Sequence, residues 1–111
     1  MNQRKWDIWT YDFPQKGPHP VVLISHPDRC ASGKVVNVLY CTSQRQQRPA
    51  QPHEVLLNSA DGLEWETFCR CDLIYAVAAD DLRERRGRVS RERRRAIARK
   101  LVVIFGLLEQ V

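Results

Sequence analysis

Two short stretches carry the side chains best suited to chemistry. The first is GPHP at 17–20, which sets His19 between two prolines. Pro18 and Pro20 each fix their own φ, and Pro20 keeps His19 extended. An imidazole changes charge near neutral pH, so a His held this way can take or give a proton. The second stretch is Thr42-Ser43-Gln44, two hydroxyls and an amide in a row. The plainer reading of a lone loop histidine is a surface residue. His26, opening a loop, and His53, opening a strand, are two further imidazoles with the same choice of roles.

Cys30, Cys41, Cys69 and Cys71 have no second pair at zinc-like spacing beside the C-x-C at 69–71. They read as reduced, compact hydrophobes, and no metal or cofactor is expected. A serine or thiol hydrolase is set aside: there is no G-x-S-x-G elbow, and no Cys stands in an activating context. No stretch is long enough to span a bilayer, and MNQRKWDIW has no hydrophobic signal region. The expected location is the cytoplasm.

The net charge of +5 conceals an asymmetry. Residues 83–100 hold ten of the eighteen Lys and Arg, against Glu84 and Glu92 alone. That segment is +8 and the remainder −3. Such a distribution suits a polyanionic partner, nucleic acid or acidic protein, or else a solvated basic helix face.

The 111 residues suffice for one domain, 1–111, with one modest core. Residues 5–13 alternate loosely and are rich in aromatics, as a strand is. PQKGPHP at 14–20 reads as a connector. The run 21–25 suits a strand buried on both faces, 26–34 a loop, and 35–41 a third strand. The polar stretch 42–52 reads as a long loop or ribbon. A fourth strand is expected at 53–58 and a fifth within 65–78. Residues 79–87 suggest a short helical turn, and 87–89 an edge strand. Ser90 is the expected N-cap of a helix over 91–109, whose buried face is Ile97, Leu101, Ile104, Phe105 and Leu108. Its last turns are apolar nearly all round, which calls for cover from the sheet and a second subunit. The fold class is mainly β with a C-terminal helix, a small antiparallel barrel or half-barrel.

Six motifs follow one another: DIWTYDF (7–13), HPVVLIS (19–25), YCTSQ (40–44), PHEVLL (52–57), CDLIYAV (71–77) and GRVSRERRRAIARKL (87–101). In this order they resemble the MazF/PemK family of toxins from type II toxin–antitoxin pairs. That pattern has G/D-x-I-W-x-x-D-F, then R-P-V-V-V-I-S, T-S/T-Q, D-Q-V and a terminal helix. The resemblance implies an SH3-like barrel, a homodimer, and metal-independent, sequence-specific cleavage of single-stranded RNA. It also implies 2′,3′-cyclic phosphate and 5′-hydroxyl ends, and a cognate antitoxin whose tail blocks the groove. The family chemistry is carried by the Arg of R-P-V and the Thr of T-S/T-Q. Here those positions are His19 and Thr42, Leu73 replaces the Gln of D-Q-V, and the loop before His19 is short.

On that reading His19 moves a proton, while Thr42 and Ser43 donate to phosphate oxygens. Lys16, Arg45 and Arg48 would contact phosphates. Gln44, Gln46 and Gln47 would read base edges, and Tyr11 would stack on an unpaired base. The arginines of 83–95 would extend the RNA track or bind an acidic antitoxin. The alternative is a nuclease-poor toxin or binding protein on the same barrel, which acts on a protein target or only binds nucleic acid.

Overall fold

A computed structural model describes residues 2–44 and 47–108. The strands are β1 (Asp7–Phe13), β2 (Gly17–Leu23), β3 (Val35–Ser43), β4 (Glu54–Leu57), β5 (Thr67–Ala78) and β6 (Arg83–Arg88). The helices are α1 (Pro27–Ser32) and α2 (Arg91–Ile104), with short 3₁₀ turns at Ser59–Asp61 and Ala79–Asp81. All pairings are antiparallel, and the order across the sheet is β4-β5-β3-β2-β1-β6.

The central strands are covered on both faces, as the unbroken apolar run at 21–23 requires. Ile8, Val22, Leu39 and Cys41 point into a first core with Val55, Leu57, Cys69, Cys71 and Ile97 of α2. Trp9, Phe13, Val21, Leu23, Val36, Val38 and Tyr40 point the other way, into a second core with Cys30 of α1, Val77 and Leu82. Each fully buried aliphatic side chain contributes about 1.5–3 kcal/mol. The sheet bends where β5 carries three more residues than β3 between the pairs Leu39↔Ile74 and Cys41↔Cys69. That odd insertion reverses the facing of β5. Cys69 and Cys71 enter the first core, whereas Leu73, Tyr75 and Val77 pack on the second. The curled sheet is a half-barrel. All four cysteines are free and buried, although Cys30 lies on a helix and not a strand.

Four expectations are corrected. The β1–β2 connector is only the turn 14–16, because Gly17 takes a left-handed φ of 78° and starts β2. His19 is therefore a strand residue. Its prolines are tolerated because, among the described residues, β2 pairs with β3 only from Val21 onward. Residues 26–34 hold helix α1, with Pro27 at its start and the His26 ring accepting from the Asp28 N–H at 3.1 Å. The helical turn expected over 79–87 shrinks to Ala79–Asp81, and β6 adds an arginine-rich edge strand to β1. Finally, α2 ends at Ile104 and not at 109, while Ser90 is its N-cap as expected, without a side-chain hydrogen bond. Ile97 is buried and Leu101 half-buried, but Ile104, Phe105 and Leu108 stay exposed because only the first half of the helix lies over the first core.

Candidate active site

His19 faces the second-core side of β2, two residues before the buried Val21. β1 places Tyr11 directly opposite it. On the other side, the β2–β3 register runs Leu23↔Val38, Val22↔Leu39, Val21↔Tyr40. Continued by two residues, it sets Thr42 opposite His19, and alternation puts both on one face of the sheet. Both side chains are partly exposed.

The imidazole is held at both nitrogens. Nδ1 lies 3.1 Å from the Cys41 carbonyl oxygen, and Nε2 lies 3.1 Å from the Lys16 carbonyl oxygen and 3.4 Å from Tyr40 Oη. A carbonyl only accepts, so the neutral ring donates to one of the two carbonyls; in the tautomer with Nδ1–H on Cys41, Nε2 carries the lone pair and the Tyr40 hydroxyl is the group beside it that can donate. Once Nε2 is protonated, its N–H donates to the Lys16 carbonyl. The ring also packs 4.8 Å from Tyr40 and 6.1 Å from Phe13.

Tyr40, Tyr75 and Phe13 were not singled out from sequence, yet they form the floor of this face. Phe13 meets Tyr40 at 5.2 Å, Tyr75 at 5.0 Å and Tyr11 at 4.7 Å, all edge-to-face. Tyr40 could have been found by alternation, two residues before Thr42 on β3. Over this floor lies Lys16, its Nζ 4.5 Å from the Tyr40 ring centre and 3.5 Å from Tyr75 Oη.

The ribbon that follows Thr42 is tied down. Gln44 Nε2 donates to Thr42 Oγ1 at 3.2 Å, and the Gln44 N–H donates to Glu66. Ser43 is exposed at the end of β3. Arg48 grips the buried Glu54 through two bonds of 2.7 and 2.9 Å and stacks 4.2 Å over Phe68. This pairing, helped by the Gln51 N–H, holds the Glu54 carboxyl down to about 2 against the opposing effect of burial. Arg48 thus has an internal partner in addition to any phosphate. Arg45 and Gln46 lie outside the described residues, while Gln47 is exposed.

The basic segment is largely engaged in holding the fold. Asp7, fully buried, takes Arg88 at 3.0 Å and Arg85 at 3.4 Å. Asp61, also buried, accepts from Arg93 at 2.6 Å, from the Ser90 N–H at 2.8 Å and from the Asn58 N–H at 2.9 Å. Arg94 donates to the Val89 carbonyl, and Arg83 lies 3.8 Å from Asp12. His26 caps α1 and His53 lends its carbonyl to the Cys71 N–H; among the described residues, the hydrogen-bond partners of the His19 ring are Cys41, Lys16 and Tyr40. Leu73 packs against the second core. Among the described residues no cluster of His, Cys, Asp and Glu suits a metal ion.

The chain matches the family described as PemK-like, MazF-like toxin of type II toxin–antitoxin system over residues 4–105. No curated protein is a significant match. Among solved structures, an endoribonuclease from mycobacterial species superposes with a TM-score of 0.79 at 19% identity, covering 96% of this chain and 93% of that one. A mycobacterial endoribonuclease in complex with its cognate antitoxin gives 0.80 at 21% identity, covering 94% and 95%. MazE–MazF from Deinococcus radiodurans gives 0.69 at 16% identity, with 94% of each chain covered. The match to the family model spans nearly the whole of the sheet and α2, and the chain belongs to the PemK-like, MazF-like toxins of type II toxin–antitoxin systems.

Proposed function

We propose that this toxin is a metal-independent endoribonuclease that cuts single-stranded RNA, leaving 2′,3′-cyclic phosphate and 5′-hydroxyl ends. One observation carries the reading: the β2–β3 register, Val21↔Tyr40, continued by two residues, brings the partly exposed His19 opposite the partly exposed Thr42 on one face, with Nδ1 at the Cys41 carbonyl. His19 Nε2, which carries the lone pair in the tautomer with Nδ1–H on the Cys41 carbonyl, takes the proton of the 2′-hydroxyl. O2′ then bonds to phosphorus, and the P–O5′ bond breaks. Thr42, with Ser43 beside it, donates to non-bridging oxygens as charge builds on them. Lys16, Arg45 and Arg48 follow the phosphates, Gln44 reads a base edge, and Tyr11 offers a stacking face.

The chain works as one domain, 1–111, in the cytoplasm. Among the described residues no helix is long and apolar enough to cross a membrane. A second copy covers the exposed Val103, Phe105, Leu107 and Leu108 at the end of α2, giving a homodimer. A cognate antitoxin binds this toxin, as one binds the mycobacterial endoribonuclease, and its tail blocks the RNA groove.

Mapping the ends produced from a mixed RNA pool, with divalent metal chelated, tests the reading. Cyclic phosphate ends are expected, and His19→Ala should slow cleavage at least about a hundredfold. A second reading stands on a specific observation: both ring nitrogens of His19 already have backbone partners. A binder with little nuclease activity would leave the pool intact while still arresting growth.

A further inference from the structure

We propose that Lys16 is a catalytic residue of the cleavage step, and that Tyr40 and Tyr75 position its ammonium to stabilise the charge that develops on phosphorus. The inference rests on the endoribonuclease reading above. In the step, O2′–P forms and P–O5′ breaks. The 2′-proton goes to His19 Nε2, and water supplies the proton that O5′ gains. Lys16 moves no proton. It acts on the non-bridging oxygens, which carry the most negative charge when five oxygens surround phosphorus.

Three observations single it out. The imidazole cannot give that charge its full attention, because its nitrogens face the Cys41 and Lys16 carbonyls. Arg48, the next cation along this face, is neutralised by two bonds to Glu54. Lys16 is held instead by neutral groups: its Nζ is 4.5 Å from the Tyr40 ring centre, 6.0 Å from that of Tyr75 and 3.5 Å from Tyr75 Oη. Among the described residues no acid lies within ion-pair distance of it. Aromatic faces and a phenol order an ammonium without cancelling its charge.

Lys16 is also in register with His19. Its own carbonyl sits at Nε2, and the ring beneath its ammonium carries the hydroxyl 3.4 Å from that same nitrogen. Base and cation are therefore tied to the same residues, which lowers the cost of bringing both to one phosphate. An anion docking between Thr42 and His19 meets an ammonium already placed.

The test is cleavage of a labelled single-stranded RNA pool, with kcat and KM measured separately at two salt concentrations. Lys16→Ala should lower kcat about a hundredfold and change KM less than about threefold. Lys16→Arg should recover to within about tenfold of wild type, since a guanidinium also stacks on Tyr40. Tyr75→Phe, which keeps the ring and loses the hydroxyl, should lower kcat about fivefold with KM unchanged. A raised KM with intact kcat, and a salt slope smaller by about 0.7, would mean that Lys16 only tracks the strand and would overturn the proposal. An active wild type with an equally active Lys16→Ala overturns this assignment alone. An inert wild type overturns it together with the endoribonuclease reading.

Discussion

The β6–α2 edge and the His19 face use positive charge in opposite ways. The edge holds most of the arginines, yet Asp7 and Asp61, both buried, take up Arg85, Arg88 and Arg93. The His19 face has few cations, and Lys16 is braced by uncharged rings. At these three positions charge density along the chain overstates the charge that is available. What matters is whether the partner that orders a cation also neutralises it.

The largest effect expected from this contrast is on stability at the edge. Asp61 joins the 3₁₀ turn Ser59–Asp61 to the start of α2, with Gly87 packed so closely on its carbonyl that a Cβ there would clash. Asp61→Ala removes the charged partner of Arg93, which among the described residues keeps only Asn58 Oδ1, and leaves two backbone N–H groups without their acceptor; it should cost about 3 kcal/mol in urea unfolding. The fraction that remains folded should keep its kcat on RNA. A loss of kcat in the folded fraction would show that the edge contributes to chemistry and would break the comparison.

Much of the fold was legible because it rests on periodicity. The apolar run at 21–25 indicates a strand buried on both faces, and Val22 and Val21 do enter opposite cores; 35–41 reads as a strand and is one. The edge was misread because an arginine run has no apolar period: nothing local separates a helical turn from a strand whose side chains pair with Asp7 across 81 positions. Helix α1 was missed although Pro27 and Gly33 bracket it. The site was half legible. Thr42 and His19 stood out by type, but the partners that orient His19 are backbone carbonyls, which no side-chain pattern encodes. Tyr75 joins Tyr40 only through the three-residue excess in β5, which no sequence spacing announces.

A second expected effect comes from the ribbon, which behaves like the edge. Glu54 has its folded value lowered from 4.5 to about 2, by Arg48 first. A lowered carboxylate contributes its stability above its unfolded value and loses it as pH falls toward the folded one. The contribution is therefore complete above about pH 5 and fades between about pH 4.5 and 2. Its size is about 2–3 kcal/mol, with the partly exposed guanidinium setting the lower figure. Comparing unfolding of the native protein with Glu54→Gln across pH 2–7 should give a difference that shrinks with acid. A constant difference would place the pair's role in packing against Phe68 and not in charge.

The smallest stability effect is expected where the functional effect is largest. Lys16 is exposed, sits at a turn, and touches only ring faces and one hydroxyl. Removing it opens no cavity and leaves no buried acid unpaired, so Lys16→Ala should change unfolding stability by less than about 0.5 kcal/mol. Tyr40→Phe removes a hydroxyl 3.4 Å from His19 Nε2 and keeps the buried ring, and should cost about 1 kcal/mol or less. If Lys16→Ala instead destabilised the protein by several kcal/mol, its ammonium would be a fastening of the aromatic floor, as Arg93 is of α2. The two regions would then use charge alike. A near-silent stability change beside a large fall in kcat is the pattern expected of an ordered, uncompensated cation, and not of a structural ion pair such as Arg93–Asp61.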